Sequence, residues 1–90
     1  LDDLNNLDEI AVENALEVYP NPASSVLVFR AKEGNIQSIA IHSALGELVQ
    51  SESNISTNMV AYNNLNLKAG LYFCSVEIEG QVFNQKVIIK

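Results

Sequence analysis

Leu67-Lys68-Ala69-Gly70-Leu71-Tyr72-Phe73-Cys74-Ser75-Val76-Glu77-Ile78-Glu79-Gly80-Gln81-Val82-Phe83-Asn84-Gln85-Lys86-Val87-Ile88-Ile89-Lys90, the last stretch of the sequence, reads as a β-hairpin. Two runs rich in β-branched and aromatic residues flank Glu79-Gly80, where the glycine supplies the positive φ of a tight connection. Successive side chains leave opposite faces of a strand. In the first run Tyr72, Cys74, Val76 and Ile78 therefore share one face, with Leu71, Phe73, Ser75, Glu77 and Glu79 on the other. In the second run Phe83, Val87 and Ile89 share a face that Gln85 interrupts, opposite Asn84, Lys86 and Lys90. A strand that ends the sequence is an accessible handle.

Working outward, the same alternation recurs. Leu16-Glu17-Val18-Tyr19 is a first strand that must end at Pro20-Asn21-Pro22, because proline lacks a donor and holds its predecessor extended. Val26 to Ala31 is a second strand with Leu27 and Phe29 on one face. Glu33-Gly34-Asn35 turns the chain into a third, Ile36 to His42, which pairs Ile39 with Ile41 on one face and sets Ser38, Ala40 and His42 opposite. Ala44-Leu45-Gly46 leads to a fourth strand, Glu47 to Ser51. A Ser-, Asn- and Thr-rich loop precedes a fifth, Met59 to Tyr62. Seven short strands with turns between them predict an all-β fold, a small antiparallel immunoglobulin-like sandwich spanning residues 16–90. Its expected core is Leu27, Phe29, Ile39, Ile41, Val76, Ile78 and Val87.

Ninety residues, 48% of them hydrophobic, suit one small domain. The net charge of −6 is uneven. Asp2, Asp3, Asp8, Glu9, Glu13 and Glu17 precede the first base, whereas residues 18–90 balance Glu33, Glu47, Glu52, Glu77 and Glu79 against Arg30, Lys32, Lys68, Lys86 and Lys90. Residues 1–15 read as an acidic linker or arm, with Leu4, Leu7 and Ile10 spaced for no more than a marginal helical turn. The balanced body lacks the basic stripe of a nucleic-acid binder. The acidic arm disfavours an anionic membrane surface, and no segment has the length of a membrane span, so direct membrane insertion is not expected. Leu1-Asp2-Asp3 lacks the basic-then-apolar order of a signal peptide, and the sequence reads as the tail of a longer chain.

Chemistry-bearing residues are sparse. A single cysteine cannot close an intramolecular disulfide. Cys74 falls on an apolar strand face and His42 opposite Ile39 and Ile41, so a His42–Cys74 dyad has no local support. The acids at 2–17 lack calcium-loop spacing. Asn54-Ile55-Ser56 matches a glycosylation sequon, a pattern too short to carry an argument. No catalytic, cofactor-binding or metal site is expected, and the chain is not read as an enzyme.

The order of motifs carries more. Val18-Tyr19-Pro20-Asn21-Pro22 opens the sandwich, Ile39 to Val49 with its Ala44-Leu45-Gly46 turn lies mid-chain, and Leu67-Lys68-Ala69-Gly70-Leu71-Tyr72 precedes a final strand ending in lysine. Together these make residues 16–90 resemble the type A C-terminal sorting domain of the type IX secretion system of Bacteroidetes. That resemblance implies a β-sandwich joined to an N-terminal cargo protein and steering it from the periplasm across the outer membrane. The implied partners are the outer-membrane translocon, its shuttle components and a sortase-like surface peptidase that removes the domain. The cargo would end at the cell surface or be secreted. The motif residues carried over are Pro20, Asn21, Pro22, Gly46, Gly70, Tyr72, Lys86 and Lys90. His42 stands where such domains usually have an aromatic, and Glu47 where a base is common. The alternative is an immunoglobulin- or fibronectin-like binding module appended to a secreted enzyme, against which the absence of tryptophan and the inward aromatics argue.

Overall fold

A computed structural model describes residues 15–90. All of the expected acidic arm except Ala15 lies outside the described residues. The rest forms seven strands: β1 Leu16–Tyr19, β2 Leu27–Ala31, β3 Ile36–Ser43, β4 Leu48–Glu52, β5 Met59–Tyr62, β6 Gly70–Ile78 and β7 Gln81–Ile89. They pair antiparallel in two sheets, β1-β2-β5 and β4-β3-β6-β7. The fold is thus the all-β sandwich that the alternation predicts. Strand ends differ by a residue or so. Glu47 belongs to the turn before β4, because Ser43 N–H donates to its carbonyl and Glu47 N–H to Ser43 Oγ.

The seven residues expected in the core are all buried between the sheets, joined by Leu16, Ala23, Ala31, Ile36, Tyr72, Cys74 and Ile89. Ile36 breaks the period of two. It lies three positions from Ile39, yet both face inward, because a bulge between Ile36 and Ser38 shifts the ladder to β6. Among the described residues no charged or polar side chain is buried with them. Non-directional burial of apolar surface, about 1.5–3 kcal/mol for each large side chain, therefore carries the cohesion of the two sheets. Phe29 meets Tyr62 edge-to-face at 5.9 Å between ring centroids, and Tyr62 OH donates to Glu52 Oε1 at 2.7 Å, tying β5 of one sheet to β4 of the other. Burial and that carboxylate push the Tyr62 phenol well above the usual tyrosine range.

The β6–β7 hairpin sets the register of the larger sheet. Both Glu79 (φ 50°) and Gly80 (φ 85°) are left-handed, the pattern of a type I′ turn. Glycine supplies only half of this turn. Glu79 accepts the other strained position, and its Oε2 receives the Asn35 N–H at 3.0 Å while Gln37 Oε1 receives the Gly80 N–H at 2.9 Å. The β2–β3 turn and the hairpin tip are therefore clasped together at one end of a 42 × 28 × 21 Å body.

Ile41 is about as enclosed as a residue can be, at 1% exposure. Ile41→Ala is expected to cost about 2–5 kcal/mol in urea unfolding, a large part of a small domain's stability. Gly34 has φ 80°, and an added Cβ would lie 2.5 Å from Glu79 Cγ. Gly34→Ala is expected to destabilise by about 1–2 kcal/mol through the left-handed backbone alone, and to release the Asn35 amide to faster hydrogen exchange.

Candidate functional site

Proline cannot donate a hydrogen bond, so in Pro20-Asn21-Pro22 the asparagine is the one residue able to bond through both its backbone and its side chain. It uses the side chain. Asn21 Nδ2 donates to Lys86 O at 3.2 Å, and Asn21 Oδ1 accepts the Ile88 N–H at 3.1 Å. Two residues on, Ala23 N–H donates to Ile88 O and Ala23 O accepts the Lys90 N–H, both at 2.8 Å. Ala23 forms an isolated parallel bridge with Ile89 and is itself buried. Residues 21–23 thus act as a short eighth strand sealing the C-terminal half of the β7 edge. Both X–Pro bonds around Asn21 are cis.

This changes one expectation. The edge beside Lys90 is not open, because Asn21 and Ala23 occupy the outward groups of Lys86, Ile88 and Lys90. Antiparallel alternation turns the backbone groups of Val82 and Asn84 outward as well, and among the described residues nothing pairs with those. Tyr72 keeps the face that its parity predicts. It lies on the inner face at 7% exposure, and its OH donates to Lys68 O at 2.6 Å. Its inward parity follows from the strand pattern. The ring therefore fixes the Lys68–Gly70 turn from inside and leaves that surface to others.

The remaining motif residues gather at the same end of the sandwich. Gly70 begins β6 opposite Ile89, Tyr72 faces Val87, and Phe73 faces Lys86. Gly46, φ 93°, donates its N–H to Ser43 O in the β3–β4 turn, two strands away from β7. An open groove of about 460 Å³ separates that turn from the loop into β6, lined by Leu45, Val49, Leu67, Lys68 and Leu71 among others. Sequence reasoning missed Ala23, whose role rests on a contact 66 residues away in sequence with Ile89. No local pattern signalled it, because the pairing joins residues at opposite ends of the domain.

Charge is sorted along the body. Arg30 and Lys32 flank Glu17 on the smaller sheet. Among the described residues, Lys68, Lys86 and Lys90 have no carboxylate within ion-pair distance. His42 and Cys74 leave opposite faces of one sheet, because Cys74 pairs with the inward Ile41 while His42 pairs with the outward Phe73. Burial pushes the Cys74 thiol from 9.0 up to about 12, so at neutral pH it is a protonated hydrophobe. Among the described residues no group of three or more His, Cys, Asp or Glu side chains converges to hold a metal ion.

Solved structures share the fold. One contains the CBM51-2 and INT domains of ZmpB from Clostridium perfringens: TM-score 0.53, 17% identity, 78% of this chain and 17% of that chain covered. Another is the Ig1 domain of mouse SynCAM 2: TM-score 0.53, 10% identity, 86% of this chain and 94% of that chain. The present chain thus spans about a sixth of the first and nearly all of the second. No curated protein matches. The family model described as secretion system C-terminal sorting domain matches residues 17–90.

Removing the Asn21 side chain isolates the seal. Asn21→Ala is expected to cost about 1–3 kcal/mol for two lost bonds and to speed amide exchange at Ile88 well before Val76 or Cys74. The thiol gives a separate check. Native protein is expected to leave Cys74 unlabelled by a thiol reagent near neutral pH and to label fully once unfolded. The folded pKa lies above the unfolded one, so this group's stabilisation is complete below pH 9 and is lost as pH rises toward about 12. Cys74→Ala is expected to flatten the fall of the urea midpoint across that window.

Proposed function

Because the chain belongs to the family of type IX secretion C-terminal sorting domains, we propose that its sealed terminal strand is the surface by which the secretion machinery selects it. The domain acts as a sorting signal for a fused cargo protein. The translocon and its shuttle components engage the end of β7 in the periplasm and pass the cargo across the outer membrane. A sortase-like surface peptidase then cuts in or just before the acidic stretch 1–15, leaving the cargo at the cell surface or released.

The observation that supports this reading is the set of four hydrogen bonds joining residues 21–23 to Lys86, Ile88 and Lys90. They bring the first and last motifs of the sequence onto one surface. Lys86 and Lys90 stand exposed on it, and neither meets an acidic partner among the described residues. A signal serving different cargoes must be read from its own fold. A strand held at its far end offers a fixed geometry whatever precedes residue 1. Such a strand presents side chains at alternate positions and is suited to recognition by pockets along one face.

The test fuses residues 1–90 to a reporter with its own signal peptide in a type IX host. Exposed lysines contribute within about half a kcal/mol to folding. Lys86→Gln with Lys90→Gln is therefore expected to keep the melting temperature while secreted reporter falls and folded reporter accumulates in the periplasm. Normal export of that folded double variant would refute the lysines as the recognised groups.

A further inference from the structure

The larger sheet carries an apolar patch on its solvent side, at the end where β7 is sealed. Register sets it out row by row. His42 of β3 lies between Leu48 of β4 and Phe73 of β6, Phe73 is opposite Lys86 of β7, and Leu71 is opposite Ile88. Leu48, Phe73 and Ile88 are 56%, 44% and 47% exposed. The next row toward the hairpin tip, Ala40, Ser75 and Asn84, carries no large apolar side chain, with Ser75 Oγ donating to Asn84 Oδ1 at 2.9 Å. The row beyond it runs Ser38, Glu77 and Val82, and Val82 is a separate apolar residue 64% exposed on β7. The patch is thus one contiguous region, not the scatter of single apolar residues common on surfaces.

Charge gives the patch a sign. Among the described residues, Lys86 stands in it, and Lys68 and Lys90 lie at the same end, as does the Glu47 carboxylate of the β3–β4 turn. Glu33, Glu77 and Glu79 lie at the hairpin-tip end, where Glu79 is held by the Asn35 amide. Ala15 is also there, bonded through its carbonyl to Lys32 N–H.

We propose that this face is a second docking surface, beside the sealed edge, for a protein segment that pairs apolar side chains with carboxylates. Phe73, Leu71 and Ile88 supply the desolvated centre, and Lys86 and Lys90 supply the charged rim that orients the partner. The row of Ala40, Ser75 and Asn84 sets its limit toward the hairpin tip. This deepens the sorting reading by naming the partner's chemistry, and its assignment to the secretion machinery rests on that reading.

The experiment uses the intact 90-residue chain and two synthetic peptides, one of alternating Glu and Leu and one of alternating Lys and Leu, followed by amide chemical shifts. The Glu–Leu peptide is expected to shift His42, Phe73, Lys86 and Ile88, to bind more weakly as salt is raised, and to lose about tenfold in affinity with Phe73→Ser at unchanged melting temperature. Equal binding of both peptides, binding of neither, or binding only to vesicles of anionic phospholipid overturns the proposal. The reporter assay separates it from the sorting reading. Loss of export with Phe73→Ser supports the face. Normal export of Phe73→Ser, with export still lost in the Lys86→Gln, Lys90→Gln pair, overturns the face and leaves the sealed-strand reading standing.

Discussion

An antiparallel sheet leaves half the backbone groups of its last strand without partners, and in this fold that strand is β7. Everything at the functional end depends on how its edge is closed. Asn21 and Ala23 close it with four hydrogen bonds between 2.8 and 3.2 Å. Each is worth on the order of 0.5–1.5 kcal/mol net, but leaving the groups unpaired invites pairing with another chain. The prolines suit the task because they contribute no competing donor of their own. The asparagine side chain, with one acceptor and one amide donor group, imitates a strand's own pair of backbone groups.

The seal also explains why residues far apart in sequence act as one surface. Ala23 is buried, and Ile89 beside it is buried too, so the corner is anchored in the core. Tyr72 reaches the same end from inside, its ring packed inward and its hydroxyl holding the Lys68 carbonyl. Together they fix the outlines of the turn and the strand from which Lys86 and Lys90 project. The opposite end is clasped separately, by Glu79 and Gln37 across the turns. A body fastened at both ends can present one of them without reference to what it is attached to.

Much of this was legible in the alternation of side chains. Period two in residues 71–78 and 27–31 gave the inward faces, and turn residues gave the strand count. What stayed hidden depends on contacts that pattern does not encode. Ile36 faces inward only because a bulge adds a residue to β3. Glu79 takes a left-handed backbone that its own side-chain partner on a distant turn accompanies. Pro20-Asn21-Pro22 could be read as a corner, but its pairing with β7 joins residues more than sixty positions apart. The motif residues were legible through resemblance to a family, and strand parity already set Tyr72 inside and the lysines outside, as their burial bears out.

Tyr72 and Phe73 make that division concrete. They are adjacent aromatics on one strand, and parity sends them to opposite faces. The inward ring satisfies its hydroxyl on a turn carbonyl, as a buried tyrosine must, and is used up in holding the fold. The outward ring has no hydroxyl to satisfy and no core to fill, yet it sits 44% exposed beside Leu71, Ile88 and a lysine. An exposed aromatic on a strand contributes little to cohesion that Thr or Tyr would not contribute as well. Phenylalanine there is directed outward, and the lysine opposite it sets a positive charge beside an apolar ring. The same two-residue period that builds the core therefore also builds the face that a partner meets.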